Sequence, residues 1–215
     1  MSRIFFVITL FCFWSAQAQV FNQRIADHTA LINHSGKWLQ QYEAFGIKST
    51  GTAQIDSVRD WLMASYTMMG VEDIRLDTFR YLGKNAYILV VDLPGSINEW
   101  VLVLAHYDSK EGGYGTNDNG TGVAACLQIV EQMVRMPHRK GIRILHFSGE
   151  EQGYLGSRHY VKSLEDSVAL VLNLDQLGGT KGADNSQIIC ERDENDNPFF
   201  NNEASANVTD TLARL

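Results

Sequence analysis

The chain has 215 residues, 45% of them hydrophobic, and sets 25 acidic against 18 basic side chains for a formal net charge of −7. That is enough apolar material for one sizeable α/β domain around a single core. An acidic chain without a basic run gives no footing for nucleic acid or anionic lipid, so neither is expected as a partner.

In chain order, the first segment is a leader. Arg3 precedes the apolar run Ile4–Trp14, and Ala16-Gln17-Ala18 supplies small residues at a cleavage site. This pattern predicts a signal peptide over residues 1–18, cut after Ala18. The run is shorter than the about 20 apolar residues of a membrane span. Cys12 has no small residue directly before it, which argues against a lipid anchor. The expected location is therefore secreted or periplasmic, with no membrane association once the leader is removed. Cys126 and Cys190 remain; Cys126 falls among apolar residues of a predicted helix and reads as a buried free thiol, although an exported chain could pair the two.

Residues 22–45 read as a helix with Ile25, Leu31, Ile32, Trp38, Leu39 and Tyr42 as its apolar stripe. Lys48-Ser49-Thr50-Gly51-Thr52 is a loop. Residues 54–69 form a second helix, stopped by Gly70. Strand-like runs follow at 73–81 and 85–92, then a turn at Leu93-Pro94-Gly95-Ser96. From there the pattern alternates: strand 101–105, helix 121–136, strand 142–147, helix 153–164, strand 168–174. A last short helix is expected at 203–215. Alternation of this kind predicts a three-layer α/β/α fold with a mixed, largely parallel central sheet. Ligands of such sheets bind at the carboxyl ends of the strands.

The chemistry-bearing residues fall at those ends. His106-Tyr107-Asp108 closes the first strand of the alternation. Two residues apart in extended chain face the same way, so Asp108 can reach the imidazole nitrogen that His106 does not give to a metal. The loop Gly112–Gly122 carries Asp118, a carboxylate able to give one oxygen to each of two metals. Asn119-Gly120-Thr121 also matches a glycosylation sequon, read here as coincidence. Glu150-Glu151 follows the next strand. Adjacent carboxylates repel unless a cation or a proton separates their roles. With a metal present, Glu151 is an ionised ligand and Glu150 is left to take a proton from water. Asp175 leaves a strand buried on both faces, where an unpaired carboxylate is costly. Each feature alone also has a bland reading as a capping loop, an acidic turn or a helix cap. His146 reads as a core or interface histidine. One imidazole and four carboxylates at strand ends suit a hydrolytic zinc site with two metals.

Taken together, Ala105–Ser109, Gly115–Ala124, Phe147–Ser157 and Asn173–Asp175 resemble the secreted bacterial di-zinc aminopeptidases, whose relatives include glutamate carboxypeptidase and glutaminyl cyclase. The clear match covers residues 84–180. The resemblance implies that His106, Asp118, Glu151 and Asp175 hold two zinc ions, with Asp118 bridging them. It further implies that Glu150 is the general base, that Asp108 orients His106 and that the Asp118–Asn119 peptide is cis. The implied activity is that of an exported aminopeptidase acting on peptide or protein N-termini. The family also draws a histidine ligand from a later loop, and the last histidine here is His159. Residues 19–215 are therefore expected to be a partial catalytic domain lacking its C-terminal part. Two rival expectations follow, an inactive truncated member and a single-zinc glutaminyl cyclase-like enzyme.

Overall fold

The structure, a computed structural model, describes residues 34–179. The leader, Cys190 and the helix expected at 203–215 lie outside the described residues. Helices are α1 (Ser35–Glu43), α2 (Ala53–Met69), α3 (Thr121–Met133) and α4 (Leu155–Tyr160). Strands are β1 (Asp73–Tyr81), β2 (Lys84–Leu93), β3 (Ile97–His106), β4 (Lys140–Phe147) and β5 (Val168–Asn173). All belong to a compact unit that ends at Gln176.

Helix α2 shows how local sequence sets an element. Thr52 caps it in extended conformation, its hydroxyl facing the Ile55 amide, which offsets one of the orphan donors of the first turn. Gly70 ends it at φ +92°, and Val71 N–H returns to Tyr66 O at 3.1 Å. A left-handed residue there favours glycine. Between the caps, Ile55, Val58, Leu62 and Tyr66 fall on one stripe and are all buried. Only the end of the first expected helix, α1, lies within the described residues; the chain turns away at Gly46, φ +72°.

The five strands lie in the order β1-β2-β4-β3-β5. The sheet is mixed, as expected. β1–β2 and β2–β4 pair antiparallel, while β4–β3 and β3–β5 pair parallel. The antiparallel half comes from the hairpin β1–β2, joined by the two-residue turn Leu82-Gly83 with positive φ at both positions. That is the backbone twist a tight hairpin needs. Along β2, Leu89 and Val91 face one layer while Ile88 and Val90 face the other, the period-two alternation of a strand covered on both sides. Helices α1, α2 and α3 pack on the first face with Val103, Ala105 and Ile144. Leu155 and Tyr160 of α4 pack on the second with Phe79, Leu102, Leu145 and Phe147.

The helix expected over 153–164 is shorter. Gly153 and Tyr154 both take positive φ, at +94° and +61°, so regular helix cannot begin before Leu155. After Tyr160 the chain tightens into a 3₁₀ turn, Val161–Ser163.

The connections also locate the site. From β3 the chain crosses to β4 on one side, and from β4 it returns past β3 to β5 on the other. The direction of winding reverses at β3, and such a switch point opens a crevice at the strand's carboxyl end. Register then levels the three ends. His106 pairs with Phe147, and Leu104 pairs with Asn173.

Two buried polar groups in the sheet have no part in that crevice. On β4, Arg143 donates two bonds to Asp92 of β2, at 2.7 and 2.8 Å, with Tyr160 and Asp166 also accepting from it. Removing one partner of a buried pair strands the other's charge. Asp92→Ala should therefore cost roughly 3 kcal/mol of stability, the lower end of that range because Asp166 remains; urea unfolding measures it. The second group is His146, fully buried, its Nε2 2.7 Å from the Tyr66 hydroxyl. Burial pulls its pKa down to about 3, so the folded state holds the ring neutral while the unfolded chain protonates near 6.5. Its contribution to stability is full above pH 6.5 and is lost as pH falls toward 3, at up to about 1.4 kcal/mol per pH unit. Ring NMR should show His146 not titrating between pH 8 and 4; a midpoint near 6.5 would contradict a buried neutral ring.

Candidate metal centre

His106 sits at the end of β3 and is 4% exposed. Its Nδ1 lies 3.1 Å from the Asp108 carbonyl. A carbonyl only accepts, so Nδ1 carries a proton and Nε2 is the nitrogen left for a metal. Nε2 faces three carboxylates, with Asp118 at 3.0 Å, Asp175 at 3.8 Å and Glu150 at 3.9 Å. Three carboxylates on one ring nitrogen call for positive charge there, which a bound cation or a second ring proton would supply.

Asp108 does more than the sequence predicted. Its carboxylate reaches the ring only at 3.5 Å, while its main-chain carbonyl makes the closer contact. The carboxylate is fully buried. It accepts from the Thr50 hydroxyl at 3.2 Å and from the backbone N–H groups of Glu150 and Glu151 at 3.3 and 3.2 Å. It therefore fixes the Glu150-Glu151 turn. Thr50, read from sequence only as loop, completes the bracket by accepting from Gly149 N–H at 2.9 Å. Gly149 takes φ +75° in this turn.

The Asp118 loop approaches from the other side. The Asp118–Asn119 peptide is cis, as the resemblance implied. Asn119 is fully buried. Its amide donates to Leu174 O at 2.8 Å, and its Oδ1 accepts from Gly122 and Gln176 N–H. A side chain so occupied is no glycan acceptor, in keeping with the sequon read as coincidence. Sequence reading missed this second role: Asn119 ties the loop to the end of β5 and so sets Asp175 opposite His106. Gly122 is required there, since a Cβ would lie 2.3 Å from Leu174 O.

The six predicted residues thus converge from four segments. Donor atoms of His106, Asp118 and Glu151 lie within 4.8 Å of one another, the spacing of a group able to hold a metal ion. A cavity of about 370 Å³ opens above them, lined by Lys110, Asp118, Glu150, Glu151, Gly153, Tyr154, Asp175 and Gln176.

Electrostatics point the same way. Burial, and then neighbouring carboxylates, raise Glu151; burial also leads the rise at Glu150 and Asp175, against the opposing pull of His106. For His106, burial pulls downward, but the Asp108 contact and the surrounding negative charges outweigh it and lift the ring to about 9. Lys110, largely exposed, reaches Asp118 at 3.2 Å and Glu151 at 3.5 Å. Even so, Glu151 Oε1 and Asp175 Oδ1 are buried without a hydrogen-bond partner. Orphaned carboxylate oxygens beside an imidazole nitrogen fit a bound divalent cation of the nitrogen- and oxygen-liking kind.

Comparison with known proteins agrees. The model of peptidase family M28 matches residues 89–213. The chain belongs to peptidase family M28. A curated relative is the probable lipoprotein aminopeptidase LpqL of Mycobacterium tuberculosis, 43% identical over 113 residues, or 50% of this chain and 23% of LpqL. This chain spans about a quarter or less of the length of the curated relatives it matches, from 18% to 27%. Among solved structures, the glutaminyl cyclase of Porphyromonas gingivalis has a TM-score of 0.61 at 22% identity, with 67% of this chain and 58% of that one covered. A Zn-dependent exopeptidase from Parabacteroides distasonis has a TM-score of 0.60 at 21% identity, with coverage of 68% and 61%. These likenesses show the same fold.

Thr50 offers a test of the bracket. Thr50→Val keeps its volume but removes the hydroxyl between Asp108 and Gly149. It should cost about 1–3 kcal/mol, because Gly149 N–H and one carboxylate oxygen lose a buried partner. Chemical denaturation measures it, and an unchanged midpoint would rule out the bracket.

Proposed function

We propose that this chain carries the zinc site of an exported metallo-exopeptidase that releases residues from the N-terminus of peptides. The observation that carries the reading is the convergence of His106, Asp118 and Glu151 within 4.8 Å, with Glu150 and Asp175 at 3.9 and 3.8 Å from the same imidazole nitrogen. Membership of a peptidase family supports hydrolysis of peptide bonds. The aminopeptidase name of LpqL and the zinc dependence of the Parabacteroides exopeptidase support the choice of end and of metal. The leader-type sequence at residues 1–18 supports export.

In this reading His106, Asp118, Glu151 and Asp175 would hold the zinc. Bound zinc would polarise the scissile carbonyl and make water acidic enough to attack at neutral pH. Glu150 is not needed as a ligand. It takes the proton of the attacking water on its carboxylate and returns it to the leaving amine. Burial raises its pKa, which brings its basicity toward neutral pH, where such transfers work best. Asp108 keeps the proton of His106 on Nδ1 and holds the Glu150 backbone, so base and ligand share one anchor.

Zinc content of the folded chain after dialysis, by elemental analysis, tests the site; two ions per chain are expected and near-zero zinc overturns the reading. One ion together with cyclisation of N-terminal glutamine would move it to the cyclase alternative. For the base, Glu150→Gln should lower turnover of an aminoacyl anilide by about 10²–10⁴-fold with zinc retained. Undiminished turnover would remove Glu150 from that role.

A further inference from the structure

Lys48 lies in the loop between α1 and α2 and has no exposed surface. A buried ammonium persists only where acceptors replace water. Here Nζ donates to the carbonyls of Gly46 and Tyr114, the latter at 2.6 Å, and lies 4.1 Å from the centre of the Tyr42 ring. Two full acceptors and an aromatic face serve its three donors. Burial pulls its pKa down to about 8, with Glu43 opposing the fall, so the cation persists at neutral pH.

The partners matter more than the pairing. Gly46 belongs to the same turn as Lys48, but Tyr114 is 66 residues away in the loop that carries Asp118. The Lys48 backbone is itself fixed. Its N–H donates to Ser109 Oγ at 2.9 Å, and its carbonyl accepts from Ser109 N–H at 3.1 Å. Ser109 in turn packs against Gly115, where a Cβ would lie 2.7 Å from Ser109 Cβ and 2.9 Å from Asp118 O. Tyr42 closes the bracket: its hydroxyl donates to Tyr107 O at 3.2 Å, and its ring would lie 2.6 Å from a Cβ on Gly120. The glycine-rich segment 112–120 is thus long and poor in side chains, with Lys48 gripping its main chain from below.

We infer that Lys48 is a positioning residue for the metal centre, its ammonium pinning the Gly112–Gly120 loop so that Asp118 is held opposite His106. The inference rests on the reading of Asp118 as a metal ligand, but the pin itself can be observed without metal.

The test compares the wild-type chain with Lys48→Met, which keeps the length and loses the cation, and Lys48→Arg, which keeps a donating cation. Two readouts are taken: zinc affinity by calorimetry, and amide hydrogen exchange. In Lys48→Met, exchange at Gly113 and Gly120, whose N–H groups bond to Lys110 O and Gly115 O, should quicken at least tenfold. Amides of Ile144 and Leu145 in β4 should be unchanged, and zinc affinity should fall at least tenfold. Lys48→Arg should recover part of both losses. Unchanged exchange in the loop overturns the inference, and so does equal acceleration in β4, which would mark Lys48 as a general stability residue. If neither variant folds, Lys48 is a global folding determinant and the inference also falls. If the wild-type chain binds no zinc, the exchange readout still decides the pin while the proposed function fails separately.

Discussion

The buried carboxylate of Asp108 is the constraint on which the site depends. A fully enclosed carboxylate must have its oxygens satisfied by protein donors. Those donors come from two separate places, the Thr50 hydroxyl and the backbone of Glu150 and Glu151. Meeting that need draws the α1–α2 loop and the turn after β4 onto the end of β3. The Asp108 carbonyl meanwhile holds the Nδ1 proton of His106. One residue thus sets the direction of the ring's Nε2 and the position of the acidic pair opposite it.

The cost of this arrangement is concentrated negative charge. Five carboxylates crowd one imidazole and one exposed lysine, and those of Glu150, Glu151 and Asp175 are pushed upward in pKa. Partial burial amplifies the repulsion, since charges out of water are poorly screened. Such a centre is poorly balanced by protein alone, which is why the orphaned oxygens of Glu151 and Asp175 are informative. Lys48 answers a different need. It spends part of its charge on a carbonyl of a loop that has too few side chains to pack itself.

Rigidity behind the site comes from ordinary sheet physics. The parallel ladders β4–β3–β5 level three strand ends, and the reversal of winding at β3 leaves room between them. The Arg143–Asp92 pair joins β4 to β2 across the antiparallel half of the sheet, and Asp166, just after the 3₁₀ turn, joins the same guanidinium. The strands therefore carry the ligands on a frame whose buried guanidinium is paired away from the site.

Much of this was legible in the sequence. The alternation of apolar strands and amphipathic helices determined the layered fold, because periodicity records which faces are buried. The residue types His106, Asp118, Glu150, Glu151 and Asp175, each just past or in the loop after an apolar run, determined which side chains could meet, because parallel strand ends share one edge. Tertiary structure alone decided the rest. It placed β3 between β4 and β5, gave the Asp108 carboxylate to the Glu150-Glu151 turn, and recruited Thr50, Asn119 and Lys48 to hold the centre. These contacts join residues 42 to 99 positions apart. A hydrogen-bonding side chain in a loop carries no periodicity, and its partner is set only when the chain has closed on itself.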